Sequence, residues 1–246
     1  MRVLGVIPAR YRSSRFEGKP LADILGKPMV QHVWERACAA GCLDELIVAT
    51  DDERIRAAVL AFGGRAVMTS TEHRSGTDRA AEVAGATAAD VIVNIQGDEP
   101  MIESAMIAEV VRPFLDGSEA GVVTIKKEVF QDSELADPGV VKVVTDPAGW
   151  ALYFSRSLIP YPRTRTQDFH VYEHVGLYAY TRECLLRLAS LPVSTLEEIE
   201  SLEQLRALEN GISILVIKTA CRTEAVSVDT PEDLERVRTM LAEQKK

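Results

Sequence analysis

The sequence has few of the residues that build disulfide frameworks or zinc sites. It contains four cysteines and four histidines in 246 residues, and no Cys-x-x-Cys pair occurs. Cys38 and Cys42 lie on one predicted helix, where they are typical of small core or half-exposed residues. We therefore expect reduced thiols, no zinc centre and a cytoplasmic protein.

Long apolar segments and the usual glycine fingerprints of nucleotide-binding proteins are also missing. No apolar stretch approaches the length of a membrane span, and the first apolar run is too short for a secretory leader. The first strand is not followed by Gly-x-Gly-x-x-Gly, and Gly-x-x-x-x-Gly-Lys-[Ser/Thr] does not occur. These absences argue against dinucleotide-dependent oxidoreductases and P-loop enzymes. The net charge of -9 argues against binding to nucleic acid or to an anionic membrane.

Strand and helix signals alternate along most of the chain. Short apolar runs are typical of strands that are buried on both faces, for example residues 3–7, 46–50 and 91–95. Amphipathic segments of helical period separate these runs. This order predicts an α/β fold of right-handed βαβ units, with a mostly parallel central sheet flanked by helices.

The pattern changes after residue 140. Two apolar runs around a Pro-Ala-Gly turn predict a β-hairpin, and a further strand follows at 175–180. An apolar stripe then predicts one helix over 197–209. We predict a single domain over residues 1–246, with a β-rich insertion at about 140–180.

A strongly basic loop follows the first strand. Pro8 ends that strand. The loop that follows carries four cationic residues and a single acidic one, Glu17. The cations are Arg10, Arg12, Arg15 and Lys19. Ser13 and Gly18 are small and let backbone N–H groups approach a ligand closely. Loops at the carboxyl ends of strands in α/β sheets bind ligands, and this charge suits a polyphosphate. The alternative is a solvated basic turn.

Two aspartates are candidates for a metal site. Asp98 follows Gly97 at the end of a strand that we predict to be central, and Asp229 lies between a strand and the last helix. Mg²⁺ uses few protein carboxylates and keeps positions for phosphate oxygens, so the pair would suit a nucleotide enzyme. The alternatives are a turn residue for Asp98 and a helix N-cap for Asp229.

The motifs together resemble a known family. Residues 7–15 and 18–21 are similar to the signature loop of the sugar-acid cytidylyltransferases. Segments 93–100, 153–156 and 228–234 narrow the resemblance to the 3-deoxy-manno-octulosonate (Kdo) cytidylyltransferases. The motifs cover nearly the whole chain in the family's order.

The resemblance implies a fold, a reaction and partners. The fold would be the nucleotide-diphospho-sugar transferase type, which is Rossmann-like, and the protein would be a homodimer. The reaction would be Mg²⁺-dependent transfer of CMP from CTP to the anomeric hydroxyl of Kdo, with release of pyrophosphate, for lipopolysaccharide biosynthesis.

The resemblance also implies which residues form the site. The nucleotide would contact Ala9, Arg10, Ser13, Arg15, Lys19, Ser75, Arg79 and Asp98. The sugar would contact Gln96, Arg156, His174, Glu200 and Gln204. Asp98 and Asp229 would hold the metal, and the catalytic set would be Arg10, Lys19, Asp98 and Asp229. Ordinary alternatives are a surface ion pair for Arg156, a strand histidine for His174 and a solvated helix face for Glu200 and Gln204.

Other functions remain open at this stage. The acceptor in the same reaction could be an amino-substituted Kdo or a sialic-type acid, since Glu17, Glu173 and Glu198 depart from the family's pattern. A catalytically silent nucleotide-binding protein is a second alternative. The presence of both aspartates together with the basic loop argues against it.

Overall fold

One large β-sheet organises the chain in the computed structural model, which describes residues 1–12, 15–164, 169–221 and 226–244. The strands in chain order are β1 (Val3–Ala9), β2 (Asp23–Ile24), β3 (Lys27–Pro28), β4 (Glu45–Thr50), β5 (Ala66–Met68), β6 (Val91–Asn94), β7 (Val122–Glu128), β8 (Lys142–Thr145), β9 (Ala151–Ser155), β10 (Tyr172–Thr181) and β11 (Ile214–Lys218). The helices are α1 (Met29–Cys38), α2 (Glu53–Ala61), α3 (Gly76–Gly85), α4 (Ser104–Leu115), α5 (Asp132–Ala136), α6 (Arg182–Ser190), α7 (Thr195–Glu200), α8 (Gln204–Glu209) and α9 (Pro231–Glu243), and a 3-10 turn spans Lys19–Leu21.

The sheet has the order β11-β7-β10-β6-β1-β4-β5. Parallel ladders join β1 to β4 and β6, β4 to β5, and β7 to β11, whereas β10 runs antiparallel to its neighbours β6 and β7. The predicted α/β class with a mostly parallel central sheet flanked by helices is confirmed. β1 lies inside the sheet, between β6 and β4, and both of its faces are buried: Ile7 packs into one hydrophobic cluster and Val6 into a second.

The region predicted as a β-rich insertion divides into two parts. β8 and β9 form a hairpin in which Val143 lies opposite Phe154, and this hairpin is joined to the main sheet through β10. β10 itself lies inside the sheet, between β6 and β7. A separate role of this region in sugar binding or dimerisation stays a prediction.

The longer helices each bury one apolar face. α1, for example, buries Val30 and Val33 fully and leaves Glu35 exposed to solvent. α9, with 13 residues, begins at Pro231 as the sequence predicts. In the part of the chain that the structure describes, no helix combines the length and the apolar character needed to cross a bilayer.

The prediction of one helix over 197–209 is wrong, because α7 and α8 are separate. Ser201 ends α7 in the left-handed conformation, with φ of 51°. Arg156 stabilises this end of the helix: its guanidinium donates from Nε to the carbonyl of Glu200 at 2.7 Å and from Nη2 to that of Ser201 at 3.2 Å. The side chain of Arg156, the residue after β9, therefore satisfies carbonyls that a continuous helix would have used.

β1 and β6 approach each other closely at their carboxyl ends. A Cβ atom at Gly97 would lie 2.4 Å from the carbonyl oxygen of Pro8, so only glycine fits between the two strands. This contact places Asp98, the next residue, beside the basic loop that follows β1.

We expect Gly97→Ala to lower the free energy of unfolding by about 2 kcal/mol, because the added methyl group overlaps the backbone of Pro8. Gly85→Ala is the matched control, since a Cβ there meets nothing within 4 Å. Urea denaturation of the two variants and the wild type measures the difference. Equal stability of the two variants would contradict the proposed close approach.

Candidate active site

A cleft of about 230 Å³ opens at the carboxyl ends of β1 and β6. Its lining includes these predicted nucleotide, sugar and metal residues: Ala9, Arg10, Arg15, Lys19, Ser75, Arg79, Gln96, Asp98 and Asp229. Ser13 lies outside the described residues. The fold thus brings together residues from the basic loop, the end of β6, the start of α3 and the segment before α9.

The two predicted metal ligands meet at one ammonium group. Lys19 Nζ lies 2.8 Å from Asp98 Oδ2 and 3.2 Å from Asp229 Oδ1, and Lys19 is only 13% exposed. Arg15 adds a second ion pair to Asp229, at 3.1 Å. The N-cap of α9 is Thr230, not Asp229. The carboxylate of Asp229 is therefore available to the cleft, and the helix-cap alternative is excluded.

The basic loop is closed by a backbone contact. Gly18 has a φ of 71° and donates its N–H to the carbonyl of Tyr11 at 2.9 Å. The Tyr11 ring packs under Arg54, whose guanidinium carbon lies 3.3 Å from the ring centroid. These contacts hold the loop from outside, so that Arg10 and Lys19 line the cleft.

Arg79 lines the cleft but is already paired. It is 3% exposed and donates to Asp51 Oδ2 at 2.8 Å, to Ser70 O at 3.3 Å and to Thr69 Oγ1. Ser75 caps α3 by accepting the N–H of Asp78. In these contacts Arg79 fixes the loop that carries Ser75, and its direct contact with a nucleotide stays a prediction.

A second cavity of about 310 Å³ adjoins the cleft. Both are lined by Gly76 and Gln96, and the second also contains His174 and Gln204. Gln96 Nε2 donates to the carbonyl of Gly176 at 3.1 Å. Three of the five predicted sugar residues therefore line this cavity.

Two buried polar atoms at this cavity have no hydrogen-bond partner within the described part of the chain. They are Asn94 Oδ1, an acceptor, and Gln204 Nε2, a donor. Buried polar atoms are normally paired in native proteins. A ligand that carries several hydroxyl groups would supply both partners.

Glu203 is a residue that the sequence analysis did not assign to the site. It lines the second cavity, and burial raises the pKa of its carboxyl group although Thr77 and Ser75 hydrogen-bond to it. Its position follows from the break between α7 and α8, which helical periodicity did not reveal. The sequence signal for Glu203 was its position next to Gln204, which the resemblance had already assigned to the sugar.

Arg156 and Glu200 do not line either cavity. Glu200 accepts hydrogen bonds from the Arg156 backbone N–H at 2.9 Å and from Ser155 Oγ at 2.6 Å. Arg156 donates to main-chain carbonyls, including that of Pro138 at 2.8 Å. Both residues join the end of β9 to α7 in this structure, and their contact with a sugar stays a prediction.

Glu99 follows Asp98, one of the two predicted metal ligands, in the sequence. Burial, with a further contribution from Asp98, raises the pKa of Glu99 to about 8. Its Oε2 atom is buried and without a partner among the described residues. The same part of the chain holds no group of three or more His, Cys, Asp or Glu side chains suited to a metal ion. Any metal here would therefore rest on the two aspartates and on ligand oxygens.

Comparison with known proteins gives a consistent result. A family profile described as "Cytidylyltransferase" matches residues 4–214. Two similar proteins are named 3-deoxy-manno-octulosonate cytidylyltransferase. That of Geotalea uraniireducens is 53% identical over 96% of this chain and 98% of its own, and that of Solibacter usitatus is 54% identical over 96% and 93%.

A solved structure is also similar over the whole chain. It is the structure of CMP:2-keto-3-deoxy-manno-octonic acid synthetase complexed with CTP, with a TM-score of 0.94 and 46% identity. The alignment covers 99% of this chain and 100% of that one.

Burial lowers the pKa of His174 to about 3, so the ring stays neutral in the folded protein. The unfolded chain takes up a proton at this histidine below about pH 6.5, so the residue makes the fold less stable as the pH falls. We expect the stability of the wild type relative to His174→Gln to drop by about 2 kcal/mol between pH 7 and pH 5. Urea denaturation at both pH values measures this difference. A difference that is independent of pH would contradict the assignment.

Proposed function

The chain belongs to the 3-deoxy-manno-octulosonate cytidylyltransferase family, and we propose that it transfers CMP from CTP to the anomeric hydroxyl of Kdo, with release of pyrophosphate. The observation that carries this proposal is the pair of adjoining cavities. One is basic and contains two carboxylates; the other combines apolar side chains with polar groups that suit a sugar, and Gln96 lines both. The amino-substituted and sialic-type acceptors are not favoured, because the relatives are named for Kdo.

The basic cleft would bind the triphosphate of CTP. Arg10, Arg15 and Lys19 face it, and they would offset the negative charge that develops on the departing pyrophosphate. Lys19 is the most important of the three, because it is largely shielded from water and its charge is therefore less screened. Catalysis in such a site consists mainly of positioning and electrostatic stabilisation.

The carboxylate pair fits Mg²⁺. Its donor set consists of oxygen atoms alone, and the shared ammonium of Lys19 marks the point as favourable for a cation. Asp98 and Asp229 would hold the ion, which would neutralise phosphate charge and favour ionisation of the attacking hydroxyl. Asp98 and Asp229 line the same cleft as Gln96, which also lines the second cavity, so the ion would lie between the two substrates.

The second cavity would bind the acceptor sugar. Gln96 lies at the boundary, where the anomeric hydroxyl would meet the α-phosphorus of CTP for an in-line attack. The neutral ring of His174 and the amide of Gln204 would contact sugar hydroxyls deeper in the cavity. A carboxyl oxygen of Glu203 would accept a hydrogen bond from a further hydroxyl group.

The family resemblance supports three further parts of the proposal. The protein would act in the cytoplasm, form a homodimer and supply activated Kdo for lipopolysaccharide biosynthesis. Sedimentation equilibrium tests the dimer directly.

Pyrophosphate release tests the proposed reaction. We expect release only when CTP, Kdo and Mg²⁺ are all present, and its loss when EDTA is added. Mass spectrometry of the product identifies CMP-Kdo. Binding of CTP without release of pyrophosphate would contradict the proposed acceptor, and absence of CTP binding would contradict the nucleotide assignment.

Asp98→Asn preserves the size of the side chain but removes a charge from the predicted metal pair. We expect kcat to fall about 1000-fold, which corresponds to about 4 kcal/mol of transition-state stabilisation. Asp116→Asn, at the exposed end of α4, is the matched control and should retain wild-type kcat. Turnover of Asp98→Asn near the wild-type rate would contradict the metal assignment.

A further inference from the structure

The hydrogen-bond ladder between β7 and β10 is interrupted beside the second cavity. Val175 lies opposite Ile125 and Tyr178 lies opposite Thr124, so that two residues of β10 fall between successive pairs. Such a bulge removes backbone groups from the regular ladder, and these groups need other partners. The carbonyl of Gly176 accepts a hydrogen bond from Gln96 Nε2 at 3.1 Å.

The side chain of Thr124 lies close to the carbonyls of Leu177 and Val175 at the bulge. It is fully buried, and its Oγ1 lies 2.8 Å from the carbonyl oxygen of Leu177 and 3.3 Å from that of Val175. A carbonyl oxygen can only accept a hydrogen bond, and a threonine hydroxyl has a single proton to donate. The shorter contact assigns this proton to Leu177.

The same hydroxyl oxygen lies 3.0 Å from His174 Nε2. Because its proton is directed to Leu177, the Thr124 hydroxyl can only accept from the imidazole. The hydrogen bond therefore requires a proton on Nε2 of His174. Burial keeps the ring neutral, so Nδ1 carries a lone pair.

The other atoms around the ring leave Nδ1 available. Phe154 packs edge-on against the imidazole, with 5.0 Å between the ring centroids. The centroid of the Tyr178 ring lies 5.3 Å from that of the imidazole. Within the described residues no group hydrogen-bonds to Nδ1, and His174 lines the second cavity. The ring is thus held by packing on its faces and by one hydrogen bond at Nε2.

We propose that Thr124 is a positioning residue that fixes His174 as the Nε2–H tautomer, so that Nδ1 accepts a hydrogen bond from a hydroxyl of the acceptor sugar. The assignment of the sugar rests on the proposed function, whereas the tautomer depends on the contacts of β7 and β10 alone. An acceptor nitrogen selects a hydroxyl group over a carbonyl or ether oxygen at this point of the sugar.

Long-range ¹⁵N–¹H correlation spectra of the histidine side chains test the tautomer without any substrate. The chain has four histidines, and the spectrum of His174→Gln identifies the signals of His174. We expect the pattern of the neutral Nε2–H tautomer at pH 7. A neutral Nδ1–H tautomer or an imidazolium pattern would overturn the proposal.

Kinetics of Thr124→Val test the role of the hydroxyl. We expect the KM for Kdo to rise about tenfold, the KM for CTP to stay unchanged, and the tautomer signals of His174 to become mixed. Thr124→Ser, which restores a hydroxyl, should recover the wild-type KM and tautomer. Thr219→Val is the control, because it removes another buried hydroxyl, the one that accepts from the Cys221 N–H, away from His174.

The outcomes separate this proposal from the proposed function. Wild-type KM for Kdo in Thr124→Val, or an equal rise of both KM values, would overturn the positioning role. Absence of turnover by the wild type with Kdo would instead contradict the proposed function. In that case the NMR spectra of the wild type and of Thr124→Ser still decide the tautomer.

Discussion

The shared ion pair of Lys19 is the interaction on which the rest of the site depends. Its ammonium contacts carboxylates that lie 79 and 210 positions away in the sequence. Two carboxylates brought this close repel each other, and the cation between them offsets that repulsion. The chain meets this condition only when the basic loop, the end of β6 and the segment before α9 converge, as the backbone bond from Val228 N–H to Asp98 O also requires.

The two cavities differ in their electrostatic character. The cleft concentrates positive charge in a chain whose net charge is -9, so its affinity for phosphate is local rather than a property of the whole surface. The second cavity is lined by titratable groups whose pKa values burial shifts in favour of the neutral form. Burial lowers the pKa of His174 to about 3, raises that of Tyr178 well above its usual value and raises that of Glu203. Burial thereby disfavours negative charge on Glu203 and Tyr178, which would reduce the repulsion of an acidic sugar.

The sequence predicts the buried strands and the proximity of Asp98 and Asp229 well, because both depend on local signals. Apolar runs mark buried strands, and residues at the carboxyl ends of parallel strands share one edge of the sheet. The break after α7 escaped prediction because Arg156, 45 positions before Ser201, satisfies its carbonyl. The resemblance implied a sugar contact for Glu200, whereas Glu203 is the glutamate of this region that lines the second cavity. The direction of β10 also had no local signal, since an apolar run reads the same for parallel and antiparallel strands.

The bulge in β10 connects the fold to the polar groups of the second cavity. A regular strand would have bonded the carbonyls of Gly176 and Leu177 to a neighbouring strand and left none for side chains. The bulge instead gives one carbonyl to Gln96 and one to Thr124, and these two side chains are fixed by the bonds they make. Gln96 lies at the boundary of the two cavities, and Thr124 orients His174 inside the second. One irregularity of the backbone thus sets the positions of both polar groups, without any ionic contact.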